Sequence, residues 1–356
     1  MLLTLTCRQA ARAAFLAACL LLGACAAGVG DLPPQAVFHP GAGQTDGAFV
    51  MPDGARLPYR AWLPPGGSAP WAVVLALHGM NDSRDAWEMP APEMAQAGIA
   101  TIAPDQRGFG DATDRGIWPG VAALVADARA MARGTAARYP NAKLFLMGES
   151  MGGAVLMALA ASPDPPKAAG WIFLAPAVWG RKEETVIERV ALWVVSHATP
   201  TLALAGAPGV KIRASDNNAA LEQLWLDPLT LHQTRMDAVA GLVDLMDVAL
   251  ASAPRVREHS LFLYGGKDEL VPKRAMVAAW QTLPLHGPEL GYYPDGYHML
   301  LRDKARSVRL ADVESWMRDP GLALPSGAEA AAAQWLAEQE RERALPSRVV
   351  SGYASR

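Results

Sequence analysis

Long apolar runs alternate with helical patterns through the first half of the chain. Each run is nearly continuous in apolar residues, which is typical of strands buried on both faces of a sheet. The runs are WAVVLALHG (71–79), GIATIAPDQRG (98–108), AKLFLMG (142–148) and WIFLAPAV (171–178). The longest helical pattern between them covers 119–139, and we expect Pro119 to open that helix. This alternation predicts an α/β fold, with a mostly parallel central sheet flanked by helices.

The strand pattern stops at about residue 179 and resumes after 254. The intervening region 179–254 contains helical patterns and no strand pattern, whereas HSLFLYGGKDELVP and PELGYYPDGYHML again have the pattern of strands. We therefore expect a helical lid over 179–254, inserted between two parts of one core, 46–178 and 255–318. Residues 319–356 are predicted to form a C-terminal helical extension on the outside of that core.

The amino terminus has the features of an export signal. Arg8 and Arg12 precede an apolar run of ten residues, too few to span a bilayer, and the run leads into LLGAC. Residues 1–24 are thus predicted to be a signal peptide. LLGAC resembles the bacterial lipobox, which makes Cys25 the expected lipidated residue; an ordinary secretory signal cleaved nearby is the alternative.

The lipobox resemblance implies a location. Residues 25–45, rich in Gly, Pro and Ala, suit a tether between a lipid anchor and a folded domain. Ala26 follows the cysteine, where an aspartate would have suggested retention in the inner membrane. We expect a lipoprotein of the bacterial cell envelope, anchored in the outer membrane and facing the periplasm.

Composition excludes several classes of function. All three cysteines, Cys7, Cys19 and Cys25, lie in the first 25 residues, so a processed chain has no disulfide and no cysteine metal site. The seven histidines are scattered without metal-ligand spacing, and we expect no metal. The formal net charge is −3, and removal of residues 1–24 leaves 30 basic and 35 acidic residues, a net charge of −5. Without a basic stripe, no nucleic-acid partner is expected.

A serine lies between glycines in the stretch GESMGG, at 148–153. It follows a predicted strand and precedes a predicted helix, the context in which G-x-S-x-G forms a nucleophile elbow. Such a turn strains the backbone of Ser150 and brings neighbouring chain so close that side chains at Gly148 and Gly152 would collide. The alternative is a serine in an ordinary glycine turn.

A nucleophilic serine needs a base, and the base needs an orienting carboxylate. His298 follows the last predicted strand, and Asp268 follows the strand before it, in the chain order serine, acid, histidine that this fold uses. Glu269 and Asp295 remain alternatives for the acid. Four other histidines lie in the predicted lid or at the wrong edge of the sheet: His197, His232, His259 and His286.

Acyl transfer also needs backbone donors for an oxyanion. One is expected to be the amide of Met151, directly after the serine. The other is expected in the loop after the first buried strand, at the amide of Met80. His78 in that loop is interpreted as a hydrogen-bonded structural histidine, because it lies far upstream of the serine.

The motifs HGMN, PDQRGFG, GESMGG, GGKDELVP and GYHML, in that order, resemble the α/β-hydrolase superfamily. Over residues 46–318 they are similar to its monoacylglycerol lipase/lysophospholipase branch, also called serine aminopeptidase-like. That branch usually has histidine where this chain has Phe109 and Glu149. Neither position is catalytic in the branch, so the departures affect the substrate analogy and leave the catalytic set intact.

The resemblance implies hydrolysis of a carboxylic ester that carries an acyl chain, without a metal or organic cofactor. Apolar residues of the predicted lid are candidates to line an acyl pocket, and together with a membrane anchor they favour a lipid-like substrate: Trp179, Leu192, Trp193, Val194, Val195 and Trp225. Two alternatives remain, a peptidase of the same fold and a lipid-anchored binding protein that does not catalyse.

Overall fold

The computed structural model describes residues 44–181, 186–205, 212–256 and 259–344. The predicted signal peptide and Cys25 lie outside these residues. The strands within them are β1 Gln44–Val50, β2 Arg56–Trp62, β3 Ala72–Leu77, β4 Ile99–Pro104, β5 Lys143–Glu149, β6 Gly170–Leu174, β7 Ala203–Ala205, β8 Gln233–Arg235, β9 Ser260–Gly265 and β10 Glu289–Tyr293.

Eight of these strands form one sheet in the order β1-β2-β4-β3-β5-β6-β9-β10. The pairs β1–β2 and β2–β4 are antiparallel, and all pairs from β4 to β10 are parallel. The prediction of a mostly parallel sheet is therefore confirmed. Because parallel strands share a carboxyl edge, the loops after β3, β5, β9 and β10 meet on one side of the sheet.

Helices flank this sheet. Those of the described residues are α1 Pro90–Gln96, α2 Val121–Arg138, α3 Met151–Ala160, α4 Val186–Ala198, α5 Asn218–Leu226, α6 Met236–Ser252, α7 Lys273–Thr282, α8 Arg306–Arg318 and α9 Ala328–Ala344. The expectation that Pro119 opens α2 is wrong by two residues. Gly120 is the N-cap, with a φ of 88° that a helix cannot contain, so the helix begins at Val121.

The sheet separates two apolar layers. In β3, Val73, Leu75 and Leu77 pack into one layer, and the alternate residues Ala72, Val74 and Ala76 pack into the other. All six residues are buried, which explains why the run shows no alternation in sequence. Other strands and loops, and helices on both faces of the sheet, supply the rest of each layer.

The region between β6 and β9 differs from the sequence prediction. The expectation of no strand in 179–254 is wrong, because β7 and β8 pair antiparallel within it. Strands of three residues are too short to show a period of two, so the pattern could not reveal them. Helix α6 packs against both α3 and α4, and four of its buried residues belong to the larger core layer: Val243, Leu245, Met246 and Ala249.

The carboxyl-terminal helix α9 packs on the last strand of the sheet. The indole of Trp335 lies parallel to the ring of Tyr292, with the ring centroids 4.5 Å apart. Tyr264 and Trp280 complete this aromatic cluster around Trp335. Among the described residues, no helix is both long and apolar enough to cross a membrane.

Candidate active site

Ser150 occupies a sharp turn between β5 and α3. Its φ is 53° and its ψ is −114°, a conformation that non-glycine residues rarely adopt. A Cβ on Gly148 would lie 2.5 Å from the carbonyl carbon of Gly152, and one on Gly152 would collide with the carbonyl of Leu77. The two glycines thus permit the close packing that holds the serine in this strained turn at the sheet edge.

The loop after β3 passes directly beside the serine. A Cβ built on Gly79 would lie 3.4 Å from the Cβ of Ser150. Met80 follows Gly79 in this loop, and Met151 is the first residue of α3, where backbone amides have no partner within the helix. The predicted oxyanion donors therefore belong to the two segments that flank the serine.

His298 and Asp268 are in direct contact. The Nδ1 of His298 donates a hydrogen bond to Oδ2 of Asp268 over 2.8 Å, and both side chains are buried. The other oxygen of Asp268 accepts the amides of Leu270 and Val271 at 2.8 and 2.9 Å. The carboxylate thus accepts three hydrogen bonds. They fix the imidazole of His298 and the turn in which Asp268 itself lies.

The two alternative acids lie elsewhere. Glu269 accepts a hydrogen bond from the amide of Arg213, and the 69% exposed side chain of Asp295 pairs with Arg309. Neither carboxylate contacts the imidazole in the hydrogen bonds described. Of the three acids considered, Asp268 alone is bonded to His298.

Two neighbouring segments position the His298 loop. Gly265, at the end of β9, has no side chain to collide with the carbonyl of Tyr297, and the two loops can therefore approach closely.

The second segment lies between β6 and β9. Its Ala214 carbonyl accepts a hydrogen bond from the amide of Met299 at 2.9 Å. Ser215 donates a hydrogen bond to Asp303 at 2.7 Å, and Asn217 donates one to the carbonyl of Arg302 at 3.0 Å. We call residues 214–217 the bracing segment.

The environment of His298 favours its protonated form. Burial alone lowers the pKa of the imidazole, but the negative charge of Asp268 and its hydrogen bond raise it, and Glu149 raises it further. The net result is a pKa above the usual value for histidine. A base of this kind is well suited to accept a proton from a serine hydroxyl.

His78 has a structural role, as expected. Its Nδ1 donates to the carbonyl of Gly79 at 2.7 Å, and its Nε2 accepts the amide of Gln106 at 3.0 Å. The ring is fully buried, and both nitrogens are used in these contacts. It therefore fixes the loop after β3 that carries Met80.

A buried ion-pair network beside the serine was missed by sequence reasoning. Nη2 of Arg302 lies 2.5 Å from Oε1 of Glu149 and 2.8 Å from Oδ2 of Asp82, and all three side chains are nearly inaccessible to solvent. The sequence does contain one indication of a buried charge: in HMLLRD, Arg302 directly follows an apolar run. Its partners are distant in sequence, so the pairing could not be read from spacing.

The six apolar residues proposed to line an acyl pocket do not share one environment. Trp179 and Leu192 pack against the larger core layer. Trp193 and Trp225 are 61% and 70% exposed, and Val194 is exposed as well. These three therefore form part of the outer surface. In the described part of the chain, no group of three or more His, Cys, Asp or Glu side chains is arranged to hold a metal ion.

Comparisons with known proteins agree with the fold. Residues 68–305, the larger part of the chain, match the family model described as serine aminopeptidase, S33. The chain is 24% identical over 275 residues to a monoglyceride lipase of Rattus norvegicus, covering 76% of this chain and 89% of that protein. It is 24% identical over 282 residues to a monoacylglycerol lipase of Mycolicibacterium smegmatis, covering 77% and 97% respectively.

Solved structures show the same architecture. A soluble variant of monoglyceride lipase from Saccharomyces cerevisiae, in complex with a substrate analogue, aligns with a TM-score of 0.66 at 15% identity, over 80% of this chain and 97% of that one. A monoacylglycerol lipase from Paleococcus ferrophilus aligns with a TM-score of 0.59 at 20% identity, over 73% and 98%. The chain belongs to the serine aminopeptidase S33 family of the α/β-hydrolase superfamily and is similar to its monoacylglycerol lipase-like members.

Proposed function

We propose that this protein is a serine hydrolase that cleaves carboxylic esters through an acyl-enzyme formed on Ser150. The observation that carries the proposal is the hydrogen bond between His298 and Asp268, at the same sheet edge as a strained serine elbow. A serine, a histidine and a buried carboxylate in this order are the parts that acyl transfer requires.

The reaction proceeds in two halves. Nε2 of His298 accepts the proton of Ser150 as Oγ forms a bond to the ester carbonyl carbon. The carbonyl oxygen becomes an oxyanion and receives hydrogen bonds from the amides of Met80 and Met151. His298 then gives its proton to the leaving alcohol as the C–O bond breaks. Water attacks the acyl-enzyme by the same route, releases the acid and restores the serine.

We propose a lipid-like ester, of the monoacylglycerol or lysophospholipid type, as the substrate. Two observations support this: the named relatives are lipases of monoacylglycerol, and large apolar residues such as Trp193 and Trp225 face outward. With Cys25 lipidated in the cell envelope, these side chains would work close to a bilayer.

An amide substrate is the second candidate, because the matching family is described as a serine aminopeptidase. An aminopeptidase needs a carboxylate to hold the substrate ammonium. The buried carboxylates of Glu149 and Asp82 are already paired with Arg302, which disfavours such a role for either of them.

The test is hydrolysis of p-nitrophenyl esters from acetate to palmitate, with aminoacyl p-nitroanilides as the amide series. Ser150→Ala should remove ester turnover and labelling by a fluorophosphonate probe. Ser162→Ala is the matched control, because Ser162 lies just beyond the opposite end of α3 and should leave both intact.

Each outcome has a distinct meaning. Serine-dependent ester turnover supports the proposal, and the chain length with the highest kcat/KM identifies the acyl group. Turnover of the anilides alone would overturn it in favour of a peptidase. A folded protein that neither turns over substrate nor reacts with the probe would be a binding protein.

A further inference from the structure

The Glu149–Arg302–Asp82 network joins the three loops of the candidate site. Glu149 immediately precedes Ser150, Asp82 lies in the loop that carries Met80, and Arg302 follows His298 by four residues. One guanidinium nitrogen, Nη2 of Arg302, contacts both carboxylates, at 2.5 and 2.8 Å. The loops of the nucleophile, the oxyanion donors and the base are thus connected through a single side chain.

The network is buried and its charges do not cancel. Ionised, two carboxylates and one guanidinium carry a net charge of −1 out of contact with bulk water. Removing one partner of a buried ion pair is strongly destabilising, because it leaves an uncompensated charge in a medium of low dielectric constant. The network therefore resists separation of the three loops.

His298 is within the electrostatic range of two members of this network, Glu149 and Arg302. The charged groups that act on its imidazole are Asp268 from the loop after β9, Glu149 from the end of β5, and Arg302 from its own loop. Arg302 also borders a small cavity that is lined by Asp82, Asp85 and Asp227 as well. Burial and the positive charge of Arg302 disfavour the imidazolium, whereas Asp268, which is bonded directly, and Glu149 favour it and outweigh them.

We propose that Glu149 and Arg302 are positioning residues for the reaction: their ion pair holds the base loop against the nucleophile loop, and the charge of Glu149 stabilises the imidazolium that forms on His298. This inference rests on the proposed serine hydrolase function. Arg302 holds Glu149 in place, and Asp82 extends the same restraint to the loop of Met80.

The test is a set of three variants. Glu149→Gln removes the charge while keeping the shape and an oxygen that can accept a hydrogen bond from Arg302. Arg302→Lys keeps the positive charge at this position. Asp295→Asn is the matched control, since Asp295 is an exposed acid three residues before His298 in sequence.

Two readouts are measured for each variant. One is the pH dependence of kcat/KM on the soluble ester that gives the highest turnover. The other is the titration of the His298 imidazole by NMR, assigned by its loss in His298→Asn. The NMR titration does not depend on turnover, and so it tests the charge effect independently of the proposed function.

For Glu149→Gln we expect the acid limb of the profile and the imidazole titration to move together to lower pH. We also expect kcat to fall roughly ten-fold at the alkaline plateau, with KM little changed. Arg302→Lys should keep the acid limb at the wild-type pH. Asp295→Asn should match the wild type in both readouts.

Several outcomes would overturn the inference. One is a wild-type profile for Glu149→Gln; another is an equal shift in Arg302→Lys or in Asp295→Asn. If Glu149→Gln does not fold, Glu149→Asp retains the charge and should keep the acid limb in place, and a shift there would contradict the charge effect. A wild-type protein without serine-dependent turnover would instead refute the proposed function.

Discussion

The carboxylate of Asp268 accepts a hydrogen bond from the imidazole of His298 and two more from the backbone amides of Leu270 and Val271. Replacing the acid with its amide keeps the size of the side chain but removes the charge and can reverse the imidazole tautomer. We expect Asp268→Asn to lower kcat by about 10³-fold or more, with a much smaller change in KM. The comparison is with Asp295→Asn, and steady-state kinetics on one ester measures both. Equal losses in the two variants would contradict the assignment of Asp268 as the acid.

The raised pKa of His298 predicts the direction of the pH dependence. Burial lowers this pKa, but Asp268 and Glu149 raise it above the ordinary value for histidine. Because only the neutral imidazole can accept the proton of Ser150, kcat/KM should fall on the acid side at a pH above the one at which a free histidine protonates. A profile of kcat/KM between about pH 4 and 9 measures this, within the range in which the fold stays intact by circular dichroism. An acid limb at or below the free-histidine value would be the contrary result.

Two helical glycines should respond in opposite ways to alanine. The new methyl group of Gly152→Ala would collide with backbone carbonyls of Leu77 and His78, so we expect a loss of stability of roughly 1–3 kcal/mol or more. In the exposed helix position of Gly134, the nearest atom to a new Cβ would be 3.6 Å away, on the ring of Phe49. There alanine should stabilise the protein by up to about 1 kcal/mol. Urea unfolding measures both, and a neutral Gly152→Ala would show that the elbow can relax.

Trp335 should contribute strongly to stability although it lies outside the family match. Its indole is buried and stacked on Tyr292, so truncation to alanine removes a large buried ring from the core layer. We expect Trp335→Ala to lower the free energy of unfolding by about 3–5 kcal/mol. Gln334→Ala, an exposed change on the same helix, should cost less than about 0.5 kcal/mol. Similar values for the two would mean that α9 unfolds separately from the sheet.

Cys25 should be the residue that attaches the protein to the membrane. The full chain expressed in a Gram-negative host should incorporate a clickable fatty acid and sediment with the outer-membrane fraction. Cys25→Ser should lose the label and the membrane association. Cys19→Ser serves as the control, because it lies within the predicted signal peptide. Retention of the label in Cys25→Ser, or a labelled protein in the inner membrane, would contradict the prediction.

The sequence predicts the sheet and the candidate catalytic residues because their signals are local. The six buried residues of β3 form a continuous apolar run, and the glycines around Ser150 are required by a turn that spans only a few residues. The contact between His298 and Asp268 follows from two strands that end at the same edge of the sheet. In each case a short stretch of chain carries the information.

Features that depend on distant contacts could not be predicted in this way. The partner of Arg302 at Glu149 is 153 residues away, and neither residue has a local pattern that indicates an ion pair. Strands β7 and β8 are stable through their pairing with each other, and three residues each are too few for a periodic signal. Surface exposure of Trp193 was equally hidden, because an apolar residue on a helix can face either the core or the solvent.

The bracing segment limits how the chain between β6 and β9 can move. Ala214, Ser215 and Asn217 bond to the loop of His298, so a displacement of this segment would pull on the base. A helix that swings to admit a substrate must therefore pivot outside 214–217 and leave that stretch attached. Substitutions in α4 or α5 that leave residues 214–217 attached are therefore expected to preserve the position of the His298 loop.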